Sequence, residues 1–437
     1  MILRFSIILV VSCLVSCKET VNPNQKIFTA SDVNYANTVL LEAVMEDAFT
    51  PPVASRIYAY SHLAHYIALQ NLRPDSLKII TNKINGLNEL SALDITGINP
   101  ELSAIMSFSN IGKKLIYSEQ FFEQLTDTLK IKASNLGLSE DVILNSEIYA
   151  QKLSQTIADW IDKDMYTETR TYPRFTSTKK PQNWRETPPD YATGLEPYWD
   201  KIRPIVIDSA NVFKYKPLPE YSTEEDSEFY NMVYQVYETV KNTSEDKEKT
   251  AWFWDCNPIM TVHKGHMVTT IHKFTPPGHW LNIVNQVTTK EASNYYTTTN
   301  AYTLTSMAMF DAIIGAWHVK YKTDLVRPVT YIQENIDPEW TPILQTPPFP
   351  EYTSGHSATS ASAAEVLTHI FGENYEFTDN TQLRFGLEER TFKSFKAAAD
   401  QVNFSRFYGG IHYMQGVEEG ARQGSQIAKS ILDKLQQ

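Results

Sequence analysis

Hydrophobic residues recur every three to four positions along much of this chain of 437 residues, which is the spacing of one buried helix face. In the stretch after Pro51, the side chains of Tyr60, Ala64 and Ile67 lie on such a face. Strand-like alternation is rare and short. The pattern predicts an all-α fold of two packed helical bundles sharing one core. The predicted helices lie at about 31–49, 51–67, 101–118, 119–134, 139–165, 224–246, 297–320, 356–371, 380–402 and 415–435.

One long stretch breaks this helical pattern. Residues 167–222 contain many Pro, Tyr and Trp residues and show little periodicity, which indicates an ordered loop, since a flexible linker would contain few aromatic residues. We therefore expect an N-terminal helical part over 30–295 that includes this loop. A second helical bundle is expected over 296–437.

The first residues predict export. Residues 1–16 combine a positive charge at Arg4 with an apolar run too short to span a bilayer, as in a signal peptide. The run ends in Leu14-Val15-Ser16-Cys17, which resembles a bacterial lipobox and predicts lipidation of Cys17, with 17–29 as a polar tether. Two alternatives are the register ending at Cys13 and cleavage without lipidation. The prediction is a lipid-anchored protein of the cell envelope, facing the periplasm or the cell surface.

Composition and charge narrow the function. Hydrophobic residues make up 42% of the chain, enough for a large core. Asp and Glu number 51 against 39 Lys and Arg, for a formal net charge of -12, which argues against nucleic acid as a partner. An anion could bind only in a local group of cations. Cleavage before Cys17 would leave Cys256 as the only other thiol, so the mature chain could form no intrachain disulfide.

Three short motifs in the last third of the chain supply such cations. The first, 320–328, begins with Lys320 and ends in Arg327-Pro328; the proline disfavours helix at Arg327, so the arginine lies on a loop after a helix. The second, 354–356, is Ser-Gly-His at a predicted helix start, where backbone N–H groups point outward. The third, 405–412, is Ser-Arg-Phe-Tyr-Gly-Gly-Ile-His, whose glycines break a helix before the histidine.

Each motif alone is more often a solvated helix face, a plain helix cap or a structural histidine than a site. Together they place cations, a hydroxyl, helix-start N–H groups and two imidazoles at helix ends. That set suits a tetrahedral or trigonal-bipyramidal oxyanion, because arginine forks and a lysine charge match its oxygens.

In this order and spacing the three motifs resemble the family that joins vanadium-dependent haloperoxidases with type 2 phosphatidic acid phosphatases. The resemblance covers about residues 300–437, and the earlier helices resemble the larger bacterial haloperoxidases. Two positions depart from the family pattern. Thr353 replaces a usual proline, and Gly416 replaces the usual aspartate four residues after the histidine.

The resemblance implies vanadate as the cofactor, with His412 as the vanadium ligand and His356 as the acid/base. Lys320 is implied to be catalytic as well, by polarising the bound oxidant. The substrates would be hydrogen peroxide and a halide, and the product hypohalous acid. The residues implied to bind the cofactor are Lys320, Arg327, Ser354, Gly355, His356, Arg406 and His412.

A phosphatase of the same family is the first alternative. In that reading His412 forms a phosphohistidine and His356 protonates the leaving group. Gly416 counts somewhat against it, since the aspartate orients the nucleophilic histidine in the phosphatases. A more remote alternative is a surface glycan-binding lipoprotein, suggested by 24 Tyr and 8 Trp residues.

Two aromatic residues bear on the halide. By resemblance, Trp317 and Phe349 flank the halide pocket, although ordinary core packing would explain both equally well. Phe349 puts no second imidazole beside His356, and Trp317 offers an N–H to a soft anion. We therefore expect iodide to be favoured. Asp311, on the helix of Lys320, is expected to orient a pocket cation; the oligomeric state stays open.

Overall fold

The computed structural model describes residues 22–23, 25–87, 93, 95–258 and 260–436, so the predicted signal peptide and Cys17 lie outside the described residues. Fourteen α-helices lie in the described part. The helices are α1 Ala30–Glu46, α2 Pro51–Leu72, α3 Pro100–Leu115, α4 Gln120–Asn135, α5 Glu140–Ile161, α6 Tyr166–Thr169, α7 Glu228–Lys241, α8 Glu245–Phe253, α9 Pro276–Lys290, α10 Tyr295–Thr323, α11 Pro328–Asn335, α12 Gly355–Phe371, α13 Phe395–Tyr408 and α14 Met414–Gln436.

The strands form two small antiparallel hairpins. The strands are β1 Met260–Lys264, β2 Met267–Ile271, β3 Phe377–Asp379 and β4 Arg390–Phe392, with β1 paired to β2 and β3 to β4. The prediction of an all-α class is confirmed, because helices provide nearly all the regular structure described. No helix in that part of the chain has both the length and the apolar character needed to cross a bilayer.

Two predicted helices differ from the structure. The segment 224–246 is divided between α7 and α8, because the Ser244 hydroxyl accepts the N–H of Lys247 and begins a new helix. The prediction of helix over 380–402 is wrong for its first half. There the chain turns at Gly386, which has a φ of 82°, and forms the β3–β4 hairpin before α13 begins.

The core is centred on α10, a helix of 29 residues that is buried along most of its length. On one side α10 packs against α2 of the N-terminal helices, and on the other against α12 and α14. A single cluster of buried apolar side chains runs through both halves. The end of α10 and the start of α12 therefore lie deep inside the molecule.

Glycines of α14 let this helix pack with its backbone directly on that of α12. A Cβ atom at Gly420 would lie 2.5 Å from the carbonyl oxygen of Ser354, and one at Gly424 would lie 2.0 Å from that of Ala358. Any larger residue at either position would push the helices apart. We call Gly420 and Gly424 the glycine contact of α14.

Candidate active site

The first motif connects α10 to α11. Lys320 lies in the last turn of α10, and Asp324 ends that helix in the left-handed region with a φ of 49°. Pro328 begins α11, and Arg327 before it is extended, at φ −79° and ψ 151°, as its position before proline predicts. Both basic side chains are fully buried. The chain reversal brings Lys320 and Arg327 to one place.

The second motif begins α12. The hydroxyl of Ser354 accepts the N–H of Ser357 at 3.3 Å, so Ser354 is the N-cap residue. The backbone N–H of Ser354 is donated to Gly416 at 2.9 Å. Gly355 is the first helical residue, and a Cβ there would lie 3.0 Å from the Trp317 ring. The first helical N–H, which has no partner within a helix, is therefore presented beside His356.

The third motif connects α13 to α14. Arg406 lies in the last turn of α13, and Gly410, with a φ of 76°, turns the chain after the helix end. Ile411 and His412 follow in this short connection and are fully buried. His412 is thereby directed back towards the first two motifs, as the glycine pair predicts.

Hydrogen bonds from the two cations of the first motif join the motifs into one site. Arg327 donates its Nε to the carbonyl of Phe349 at 2.8 Å and its Nη1 to that of Ile411 at 2.8 Å. Lys320 Nζ donates to the carbonyls of Pro350 and Glu351, each at 3.0 Å. The segment before α12 and the segment before α14 are thus held to the end of α10.

Arg406 occupies another side of the site. Its Nη1 donates to the carbonyl of Trp254 at 3.0 Å. Burial lowers the pKa of Arg406, while Asp255 and Cys256 oppose that change. The segment after α8 therefore forms part of the wall of the site.

The charges of the site act strongly on one another. Burial, and then the neighbouring Arg327, hold the pKa of Lys320 well below its usual range. Burial lowers the pKa of Arg327 to about 10. The pKa of His412 is held well below 6.5 by burial and then by Arg327, Lys320 and Arg406. The same site therefore collects positive charge and keeps its histidine neutral.

His356 is the residue of the site that retains partial contact with solvent. Burial lowers its pKa well below 6.5, and Arg406 and Lys320 lower it further. A bound anion would act in the opposite direction and favour the protonated form.

Hydrogen-bond donors that have no partner within the protein show whether an oxyanion fits the site. Among the described residues, Arg327 Nη2, Arg406 Nε and His356 Nε2 are buried atoms with no hydrogen-bond partner in the protein. Leaving such groups unpaired costs about 1–3 kcal/mol each, and more for charged groups. A tetrahedral anion would accept hydrogen bonds from these groups and compensate the charges. Phosphate and vanadate both meet this requirement.

One contact of the site was not predicted from the sequence. His412 Nδ1 lies 2.6 Å from Oε1 of Glu351, a carboxylate that is completely buried. Burial raises the pKa of Glu351 to about 7, although Arg327 and Lys320 lower it. The only sequence signal was indirect, since Gly416 leaves the histidine without the usual aspartate.

Trp317 and Phe349 lie together beside the cations, with ring centroids 5.1 Å apart. Lys320 Nζ is 4.8 Å from the centroid of the Phe349 ring, and the Arg327 guanidinium carbon is 5.0 Å from it. The Trp317 indole N–H, however, is donated to the carbonyl of Leu195 at 3.3 Å. The prediction that this N–H is available to an anion is therefore wrong, and the ring faces remain.

Asp311 lies elsewhere. Its carboxylate accepts the backbone N–H groups of Ile205, Val206 and Ile207 at 2.7, 2.8 and 3.0 Å. Burial raises its pKa to about 6. The prediction that Asp311 orients a pocket cation is wrong, because it holds the long loop against α10.

The chain is similar to known proteins over the region of the three motifs and beyond it. Residues 300–437 match the family model of the second helical-bundle domain of VCPO. A crystal structure described as the first bacterial vanadium-dependent iodoperoxidase is 40% identical, with a TM-score of 0.87 over 94% of this chain and 98% of that one. A search of curated proteins found no significant match.

A more distant structure shares the fold. The holo-type bacterial vanadium-dependent chloroperoxidase is 17% identical, with a TM-score of 0.68 over 95% of this chain and 98% of that one. Similarity at this level supports the fold alone, whereas the 40% identity over nearly the whole chain identifies the family. The chain belongs to the vanadium-dependent haloperoxidases.

Proposed function

We propose that this protein oxidises halide with hydrogen peroxide to hypohalous acid, using bound vanadate, and that iodide is its preferred halide. The observation that carries the proposal is the group of buried, unpaired donors on Arg327, Arg406 and His356, gathered around the neutral His412. Vanadate is the cofactor of the family, and when bound it supplies the activation of peroxide towards halide.

The side chains of the site would bind the vanadate and transfer protons. Lys320, Arg327 and Arg406 would hold the oxygens of vanadate by charge-assisted bonds, together with the Ser354 hydroxyl and the Gly355 N–H. His412 would bind vanadium through Nε2. His356, beside the cations and in partial contact with solvent, would take up and release the proton at its own Nε2.

Two observations support iodide. The relative at 40% identity is described as an iodoperoxidase. Phe349 provides an aromatic face under the cations and no second imidazole beside His356. Iodide is also the most easily oxidised of the three halides considered, so its oxidation requires the least activated peroxide.

One experiment tests the activity and its halide together. Purified apo-protein is assayed for oxidation of iodide, bromide and chloride at fixed peroxide, with and without orthovanadate, and for phosphatase activity in the same preparation. We expect vanadate-dependent oxidation, with kcat/KM highest for iodide. A bromide value equal to or above that for iodide would refute the halide preference, and phosphatase activity without oxidation would refute the haloperoxidase.

We also propose that the protein is attached to the bacterial cell envelope through lipid on Cys17, with hydrogen peroxide and halide reaching it there. Support comes from the lipobox-like 14–17 alone. Mass spectrometry of the mature N-terminus, with fractionation of Cys17→Ala as the control, tests the proposal. An unmodified terminus elsewhere, with fractionation unchanged by the substitution, would contradict it.

A further inference from the structure

Glu351 occupies the space in front of Gly416. An ideal Cβ atom at Gly416 would lie 2.4 Å from Oε1 of Glu351 and 2.9 Å from its Oε2, and all three nearest atoms belong to this carboxylate. No side chain at position 416 is compatible with Glu351 where it stands. The glycine at 416 therefore provides the space that the carboxylate of Glu351 occupies.

Glu351 is held through one oxygen of its carboxylate and through its backbone. Oε1 accepts hydrogen bonds from His412 Nδ1 at 2.6 Å and from the backbone N–H of Tyr413 at 3.1 Å. The backbone of Glu351 donates its N–H to Leu325 at 3.0 Å and accepts from Lys320 at 3.0 Å. Its place is thus determined by the same elements that carry the cations of the site.

The contacts of His412 also decide which nitrogen carries the proton. Nη1 of Arg327 lies 3.3 Å from His412 Nε2, and a guanidinium nitrogen can only donate. Nε2 is then the acceptor, so Nδ1 carries the hydrogen and donates it to Glu351. This tautomer presents a lone pair at Nε2, which a metal ligand requires.

We propose that Glu351 is the positioning residue for His412 and that Gly416 is retained to admit it, so the carboxylate behind the ligand histidine comes from the segment before α12. The inference deepens the proposed function and rests on it only where vanadate binding is concerned. It predicts that positions 351 and 416 are energetically coupled, because the carboxylate can be supplied from one or the other, and not from both.

The test is a double-mutant cycle of Glu351→Ala, Gly416→Asp and the combined variant. Glu351→Ala should weaken vanadate binding about 10- to 100-fold, the usual result of losing the outer partner of a metal-binding histidine. Gly416→Asp alone should weaken it as well, because it drives a side chain into Glu351. The combined variant should bind better than either single variant, because truncation at 351 removes the collision and the new carboxylate faces the same space.

A second measurement does not require vanadate or activity. ¹⁵N NMR of the histidine side chains in apo-protein, with the His412 signals assigned by their loss in His412→Gln, reports the tautomer directly. We expect the Nδ1–H form in the wild type, a smaller population of it in Glu351→Ala, where only the contact with Arg327 still favours it, and its recovery in the combined variant. Glu351→Gln, which keeps an acceptor oxygen and nearly the same volume, should keep the tautomer with a smaller loss of vanadate affinity.

The outcomes separate this inference from the proposed function. If His412 signals and vanadate affinity are unchanged in both variants at 351, or if the combined variant does not bind vanadate better than each single variant, Glu351 does not position His412. If Glu351→Ala does not fold, Gly416→Asp decides, because its side chain displaces the Glu351 carboxylate: a His412 tautomer and a vanadate affinity that are both unchanged in this variant would overturn the inference. Wild-type protein without haloperoxidase activity, but with a tautomer that depends on Glu351, would refute the function and leave this inference standing.

Discussion

Two buried histidine–carboxylate pairs of the same length behave in opposite ways. His279 Nε2 lies 2.6 Å from Asp379, and His412 Nδ1 lies 2.6 Å from Glu351. Burial opposes the protonation of His279, but Asp379 and Cys256 outweigh it and raise the pKa to about 10. The pKa of His412 is held well below 6.5.

The difference lies in the neighbours of each pair. Besides Asp379, His279 has the Cys256 sulfur 3.3 Å from its Nδ1, whereas His412 is surrounded by cations. The pair at His279 is therefore an ion pair that joins α9 to β3, and the pair at His412 keeps a neutral imidazole ready to bind a metal. A buried histidine next to a carboxylate does not by itself identify a site; the charge left uncompensated around it does.

The largest expected effect is the loss of vanadate binding in His412→Ala. In the haloperoxidase site that the three motifs resemble, this histidine makes the direct bond between the protein and vanadium. His356→Ala is the matched variant, which should retain vanadate and lose turnover. Vanadate titration of the apo-proteins measures the first effect, and steady-state assays measure the second. Wild-type vanadate affinity in both variants would show that the roles are wrongly assigned.

Alkaline pH should weaken the ion pair at His279, whereas His412, whose pKa is held well below 6.5, is already neutral and has no charge to lose. The folded-state pKa of His279, about 10, lies above its unfolded value of 6.5, so its contribution to stability is complete below pH 6.5 and is lost as the pH rises through 10. The difference of 3.5 units corresponds to about 5 kcal/mol as an upper bound. Urea unfolding from pH 6 to 9.5 measures the loss, and in Asp379→Asn the dependence should be flatter. Parallel curves would contradict the ion pair.

Asp379→Asn should itself destabilise the protein by about 3–5 kcal/mol near pH 6, because breaking a buried pair leaves the remaining partner uncompensated. The vanadate affinity of the folded variant should stay close to the wild-type value. Urea midpoints and vanadate titration on one preparation separate the two. A loss of vanadate binding without loss of stability would assign Asp379 to the site.

The smallest effect concerns single cations of the site. Phosphate should compete with vanadate during reconstitution, because both anions match the donors of Arg327 and Arg406. Arg406→Ala should weaken both anions by about 1.5–3 kcal/mol, the range for a hydrogen bond to a charged group. Lys249→Ala, at an exposed ion pair, is the control. Equal reconstitution in high phosphate and in phosphate-free buffer would contradict a shared anion site.

Much of the site could be predicted from the sequence because its residues lie at helix ends that leave local signals. Pro328 fixes the conformation of Arg327, Ser354 begins α12, and Gly410 permits the turn before His412. Each of these effects acts between residues a few positions apart in the chain. It can therefore be recognised in a single sequence without knowledge of the fold. The helix positions follow from the spacing of apolar residues for the same reason.

The missed features depend on contacts between distant segments. Glu351 contacts His412 although 61 positions separate the two residues in the chain. His279 contacts Asp379 although 100 positions separate them. Nothing near Trp317 in the sequence indicates that its N–H is donated to Leu195. The first half of the helix predicted over 380–402 is absent because pairing between β3 and β4 outweighs local helical spacing.

The glycine contact of α14 makes the geometry of the site depend on residues that lie outside its three motifs. Gly420 and Gly424 place main chain on main chain where the helix that carries His356 crosses the helix that follows His412. At these two positions the spacing of the helices next to the two imidazoles is therefore set by contact between backbones. A single methyl group at position 424 would collide with the Ala358 carbonyl and disturb the oxyanion geometry.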